Sequence, residues 1–195
     1  MRRLFVALDL AIGVVEELLN IQEEFHAHLG AHGELAQTRV RWTRPENIHL
    51  TLKFLGDTED ALISRLCDTI SRLVKPLFPF EVEARGVGFF PAPERPRIFW
   101  CGFDAQSAEV LALLQQAIER DLGELGFAAN DRPFYPHITL GRIKSRANPD
   151  FAGFAAQHKT RSFGKSYVKD FVLYESILTP NGPIYQVIER FTLGA

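Results

Sequence analysis

The chain has 195 residues, 46% of them apolar and 24% charged, with a formal net charge of −2. That balance fits one soluble globular unit with a sizeable core, and it excludes a protein that coats nucleic acid through bulk electrostatics. No run approaches the roughly 18 apolar residues of a membrane span, Asp9 breaks the apolar stretch after Arg2-Arg3 without a small-residue cleavage site, and the two cysteines lack metal or disulfide spacing, so a reducing cytoplasm is expected.

In chain order, residues 4–9 are short and β-rich, as expected of a central strand. Val14, Leu18, Ile21 and Phe25 then recur at helical spacing up to Gly30, a C-terminal stop. Residues 31–40 read as loop. Residues 48–55 form a strand closed by Gly56-Asp57, and the next helix takes Thr58 or Asp57 as its cap and buries Leu62, Leu66, Ile70 and Leu73. Phe80, Val82 and Ala84 alternate with Glu81, Glu83 and Arg85, the pattern of a strand buried on one side.

After Pro91-Ala92-Pro93 the same order begins again: a strand over residues 97–103, a helical stripe of Leu111, Leu114, Ile118 and Leu122 ended by Gly123, and a strand over residues 137–143. Asn148-Pro149 suits the cap and first position of a short helix running through Gln157. Strands near residues 169–178 and 184–193 complete the chain. The expected fold class is α+β: one domain over residues 1–195, built from two internal repeats of about 1–90 and 96–195. Two lobes of mainly antiparallel sheet, related by a pseudo-twofold axis, would carry helices outside and enclose a central cleft.

The chemistry lies in a phrase that occurs twice. Pro45 precedes His49-Leu50-Thr51-Leu52, and Pro133 precedes His137-Ile138-Thr139-Leu140 at the same offset. On a strand, residues i and i+2 share a face, so each histidine points with its threonine and away from the two aliphatic residues. Packing two related lobes together brings the motif strands to opposite walls of one cleft. Imidazole titrates near pH 6.5 and exchanges protons at neutral pH. With a phosphodiester between two imidazoles, one can take a proton from attacking water while the other protonates the departing oxygen, and the threonine hydroxyls can donate to non-bridging phosphate oxygens. The two histidines are equivalent at this level.

A metal centre is the obvious competitor, but no carboxylate or cysteine stands at ligand spacing beside either motif, so no metal and no cofactor are expected. A covalent route would need a nucleophile beside a base, and Thr51 and Thr139 lie along the strand from their histidines rather than against them. His26, His28, His32 and His158 carry no motif. The basic stretch of Arg142, Lys144, Arg146, Lys159, Arg161, Lys165 and Lys169 reads as solvated surface, Arg142 excepted because it follows the second motif directly. Lys53 falls on the His49 face if its strand continues regularly.

Residues 3–7 (RLFVA), 49–56 (HLTLKFLG), 85–91 (RGVGFFP), 137–142 (HITLGR) and 178–185 (LTPNGPIY) together resemble the two-histidine phosphoesterases, and among them the RNA 2',3'-cyclic phosphodiesterases also called 2'-5' RNA ligases. The resemblance covers nearly the whole chain. It implies a bilobal α+β fold and metal-free hydrolysis of an RNA-terminal 2',3'-cyclic phosphate to a 2'-phosphate. By this likeness His49 is the proton donor to the 3' oxygen and His137 the proton acceptor that activates water. Thr51, Thr139 and Arg142 would bind the phosphate. Arg142 would face away from His137 on a regular strand, so its role requires a bulge or twist at Gly141. Tyr135, Tyr185 and Phe134 are candidates to stack on a terminal base, Phe134 being also a natural packing residue. The implied partners are RNA ends or small 2',3'-cyclic nucleotides, with no membrane and no obligate protein partner. Ligation through a 2',5' linkage by the reverse reaction, and a non-catalytic module that binds RNA ends, are the alternatives. The matched pair of titratable groups speaks against the second.

Overall fold

Alternating apolar residues produce strands that pair into one sheet, and the helical stripes cover its back. The structure, a computed structural model, describes residues 1–33, 36–130, 133–145, 151–180 and 182–194. The strands are β1 (Arg2–Leu8), β2 (Thr38–Trp42), β3 (Leu50–Thr58), β4 (Phe80–Phe90), β5 (Ile98–Phe103), β6 (Ile138–Ser145), β7 (Ser162–Val168), β8 (Asp170–Thr179) and β9 (Gly182–Thr192). The helices are α1 (Ile12–Ala31), α2 (Asp60–Val74), α3 (Ala105–Gly123) and α4 (Ala152–Gln157).

The sheet runs β7-β4-β5-β6-β3-β1-β8-β9, with β2 added on β6, and every pairing is antiparallel. Two cores lie behind it. Leu4, Val6, Leu50 and Leu52 pack with Leu66 and Ile70 of α2 and with Leu111 and Ile118 of α3. Phe99, Cys101, Ile138 and Leu140 pack with Leu18, Ile21 and Phe25 of α1 and with Phe154 of α4. Full burial of one such aliphatic side chain is worth about 1.5–3 kcal/mol. The α+β class, the antiparallel lobes and the central cleft are as expected. Each lobe nevertheless draws on both halves of the chain: α1 follows β1 but covers the β4-β5-β6 lobe, and α3 follows β5 but covers the β3-β1-β8 lobe.

Local expectations need four corrections. Residues 38–40, expected as loop, begin a strand: Thr38–Trp42 is β2, held by pairing to β6. Ser162–Val168 is an unexpected strand whose Phe163, Ser166 and Val168 are buried. Gly56-Asp57 does not close β3; the strand continues to Thr58 through a bulge, with Gly56 at φ 71°, a left-handed conformation that suits glycine. The cap of α2 is Glu59, without a side-chain cap bond, rather than Thr58 or Asp57, and Leu62 is only half-buried. By contrast, α3 is capped by Asp104, whose carboxylate accepts from the Ser107 amide at 3.0 Å. The Asn148-Pro149 cap lies outside the described residues.

Candidate active site

The two motif strands lie side by side at the centre of the sheet and pair at one position, Leu50 opposite Ile138. Continuing that antiparallel register by one residue each way sets His49 across from Thr139 and His137 across from Thr51. Leu50, Leu52, Ile138 and Leu140 are buried in the two cores, so the opposite face carries the four polar side chains. All four line one cleft of about 1110 Å³. β2 enters beside β6 from Gly141 onward, where β3 has diverged, and so forms part of the cleft rim.

Both strands bulge at the fourth residue of the motif. β1 pairs Val6 with Lys53 and Ala7 with Thr51, leaving Leu52 without an opposite residue, and β5 pairs Phe99 with Gly141 and Trp100 with Thr139, leaving Leu140. One extra residue reverses the faces of everything after it. In β6 the reversal brings Arg142 into the cleft with His137 and Thr139. Gly141 is required there by the close approach of β2, since a Cβ at that position would sit 2.8 Å from Val40 Cγ1. The Leu140 carbonyl at the bulge accepts from the Thr43 amide at 2.9 Å and from Gln22 Nε2 of α1 at 2.8 Å, which leaves no orphaned polar group.

In β3 the same reversal corrects the expectation for Lys53. Its ammonium is buried, donating to the Glu119 carboxylate and to the Ala128 carbonyl at 2.8 Å, and does not serve the His49 face. Phe54 takes the cleft-facing place instead and is 64% exposed.

Each imidazole is oriented by the backbone two residues before it. His49 Nδ1 lies 2.8 Å from the Asn47 carbonyl and His137 Nδ1 lies 2.7 Å from the Tyr135 carbonyl, so Nδ1–H donates in both and Nε2 is left for chemistry. The Thr51 hydroxyl is 2.9 Å from His49 Nε2, so it does lie against its histidine, contrary to what the strand spacing suggests. Burial pushes the His49 pKa down to about 4, against smaller opposing effects of the Asn47 hydrogen bond and the Asp9 carboxylate. Burial also lowers His137, and there the nearby Arg142 guanidinium adds to the effect. Asp9 is fixed behind His49 by Tyr174 Oη, which donates at 2.6 Å, and by Arg190 Nη2 at 2.7 Å.

Aromatic rings wall both histidines. Phe5 stacks on His49 with centroids 5.0 Å apart, and Tyr185 meets His49 edge-on at 5.2 Å. Phe90 meets His137 edge-on at 5.0 Å. Tyr135 is 53% exposed beside Phe90 and Trp100 at the cleft mouth. Phe134 lines the cleft but also packs on the core of the β3-β1-β8 lobe. The structure therefore gathers His49, His137, Thr51, Thr139, Arg142, Tyr135, Tyr185 and Phe134 in one cleft. Phe54, Arg41, Arg97 and Asp9 escaped the sequence reading. The first three sit outside the repeated phrase, and only the bulges and β2 bring them to the cleft. Among the described residues no three His, Cys, Asp or Glu side chains are placed to hold a metal ion.

The family described as "LigT like Phosphoesterase" matches residues 12–100 and 102–185. The chain is 36% identical over 189 residues to an RNA 2',3'-cyclic phosphodiesterase of Archaeoglobus fulgidus, covering 97% of this chain and 99% of that one. It is 32% identical over 192 residues to one of Methanothermobacter thermautotrophicus, covering 98% of each. Among solved structures, a Thermus thermophilus protein superposes with a TM-score of 0.79 at 30% identity, covering 98% of both chains. Escherichia coli LigT complexed with 3'-AMP has the same fold, with a TM-score of 0.71 at 24% identity over 100% of this chain and 99% of that one. The duplicated His-x-Thr site, its sheet and these relationships together make this chain an enzyme of the LigT-like phosphoesterase family.

Proposed function

We propose that the protein hydrolyses RNA-terminal 2',3'-cyclic phosphates to 2'-phosphates, with His49 and His137 as its acid and base and without a metal. The observation that carries this reading is geometric: the two motif strands pair at Leu50 and Ile138, so that both histidines, each with its threonine, line one cleft with Arg142. Burial, the largest influence, lowers both imidazoles; of the smaller influences, the Asp9 carboxylate raises His49 and the Arg142 guanidinium lowers His137, in keeping with a donor at His49 and an acceptor at His137. In this mechanism His137 Nε2 takes a proton from water as the water oxygen bonds to phosphorus. The bond from phosphorus to the 3' oxygen breaks, and His49 Nε2–H gives that oxygen its proton. Thr51, Thr139 and Arg142 bind the non-bridging oxygens and absorb the developing charge. With burial holding both imidazoles neutral in the empty cleft, the anionic diester itself supplies the charge that draws a proton onto His49. Tyr135 and Tyr185 flank the terminal nucleoside, and the related proteins named RNA 2',3'-cyclic phosphodiesterases support the choice of substrate. The free thiols of Cys67 and Cys101 suit a reducing cytoplasm.

We also read residues 1–90 and 96–195 as copies of one unit. The mirrored strand orders β3-β1-β8 and β6-β5-β4, the bulge at the same motif residue and the same Nδ1 bond two residues back support this.

The test is to incubate the protein, with EDTA present, with an oligoribonucleotide ending in a 2',3'-cyclic phosphate and to identify the product. A 2'-phosphate with a free 3' hydroxyl is expected. An exclusive 3'-phosphate would overturn the roles of the two sides, and activity lost in EDTA but restored by zinc would overturn the metal-free mechanism.

A further inference from the structure

We infer that the face shared by β2 and β6 is a track for the RNA backbone upstream of the cyclic phosphate, so that the favoured substrate is an oligoribonucleotide rather than a mononucleotide. This rests on the proposed function of the cleft. The antiparallel register sets Arg41 opposite Arg142 and Arg39 opposite Lys144, two like-charged pairs in succession. Like charges directly opposite one another destabilise a sheet unless an anion joins them. All four side chains are exposed, and so is Arg97, next to Ile98, the residue that pairs with Arg142 from the other side. Among the described residues none of these five cations has an ion pair.

The contrast with the rest of the surface makes the track specific. Arg161 is paired with Glu24 and Lys165 with Glu81, so these members of the basic stretch are neutralised. On the other lobe, β3 continues from its motif through exposed Phe54 to Asp57, which lies opposite Arg3, and Arg2 is paired with Asp60 and Glu175. Among the described residues, uncompensated positive charge thus continues from the cleft along β2 and β6. Arg41, Arg97 and Arg142 line the cleft itself, whereas Arg39 and Lys144 continue one cross-strand pair beyond it. Alternate residues on a strand are about 7 Å apart, comparable with the step between successive phosphates of an extended single strand. Ammonium and guanidinium groups at that spacing bind phosphates without reading sequence.

The experiment compares a mononucleoside 2',3'-cyclic phosphate with a hexaribonucleotide ending in the same group, using wild type, Arg39→Gln/Lys144→Gln and the charge-conserving Arg39→Lys/Lys144→Arg. The glutamine variant is expected to raise KM for the hexamer about tenfold and to lower the slope of log KM against log salt by about 0.7 for each phosphate it no longer neutralises. Its constants for the mononucleotide should stay within about twofold of wild type, and the charge-conserving variant should restore hexamer binding. Equal effects on both substrates, or none on either, would overturn the track while leaving the catalytic reading intact. Failure of wild type to turn over either substrate would instead overturn the catalytic reading, and the track with it.

Discussion

In the proposed mechanism, a His49 pKa near 4 before substrate binds has a direct kinetic consequence. With the proposed roles the productive free enzyme would carry a charged His49 and a neutral His137, and kcat/KM would report the pKa values of that free form. Activity rises with pH as His137 loses its proton and falls as His49 loses its own. Both residues are held below the ordinary value of 6.5, so the bell-shaped kcat/KM profile should peak below that pH. Binding an anionic diester raises both values, so the kcat profile should lie to the alkaline side of the kcat/KM profile. A kcat/KM optimum above about pH 7.5 would contradict these charge states. The pairing of histidine with threonine was legible because a period of two is the simplest pattern a strand writes. Asp9 was not: it is 40 residues from His49 in sequence and reaches it through the pairing of β1 with β3 and β8.

At the scale of the element, the bulge decides which side chains reach the cleft. In β6 its presence was foreseeable from Gly141, because Arg142 could join His137 only if the alternation slipped. In β3 no glycine stands at the corresponding place, and Lys53 looked cleft-facing until the register with β1 showed otherwise. Its ammonium has no exposure and is held by Glu119, which also accepts from Gln115 at 2.8 Å and Asn130 at 2.7 Å. Removing one member of a buried, hydrogen-bonded ion pair leaves the other uncompensated and costs about 3–5 kcal/mol. Glu119 keeps some solvent and two other donors, so Lys53→Met should cost about 2–3 kcal/mol, measured by denaturant unfolding. A loss below about 0.5 kcal/mol would show that the pair does not anchor α3 to β3. β2 and β7 escaped the sequence for opposite reasons. β2 is only five residues long and its cationic face gives no sign of a sheet, while Gly164 at φ 99° interrupts the alternation of β7.

For the molecule as a whole, the divergence of β3 from β6 after a single pair is what makes a cleft out of one continuous sheet. Three of the four helices and the approximate positions of seven of the nine described strands followed from periodicity, because each element buries one face. The exchange of α1 and α3 between lobes did not, since an apolar stripe records that it is buried but not against which partner. Within that frame the central claim concerns two groups. Replacing either by alanine removes its imidazole, the proposed acid or base, from the cleft while leaving the buried aliphatic residues of the motif strands in place. Single-turnover and steady-state kinetics of His49→Ala, His137→Ala and the double variant on a 2',3'-cyclic-phosphate oligoribonucleotide test it most directly. Each single variant is expected to lower kcat by roughly 10² to 10⁴, and the double variant to cost far less than the product of the two, because a pair that acts together is lost with either member. Near-wild-type turnover in either single variant would contradict the acid–base pair.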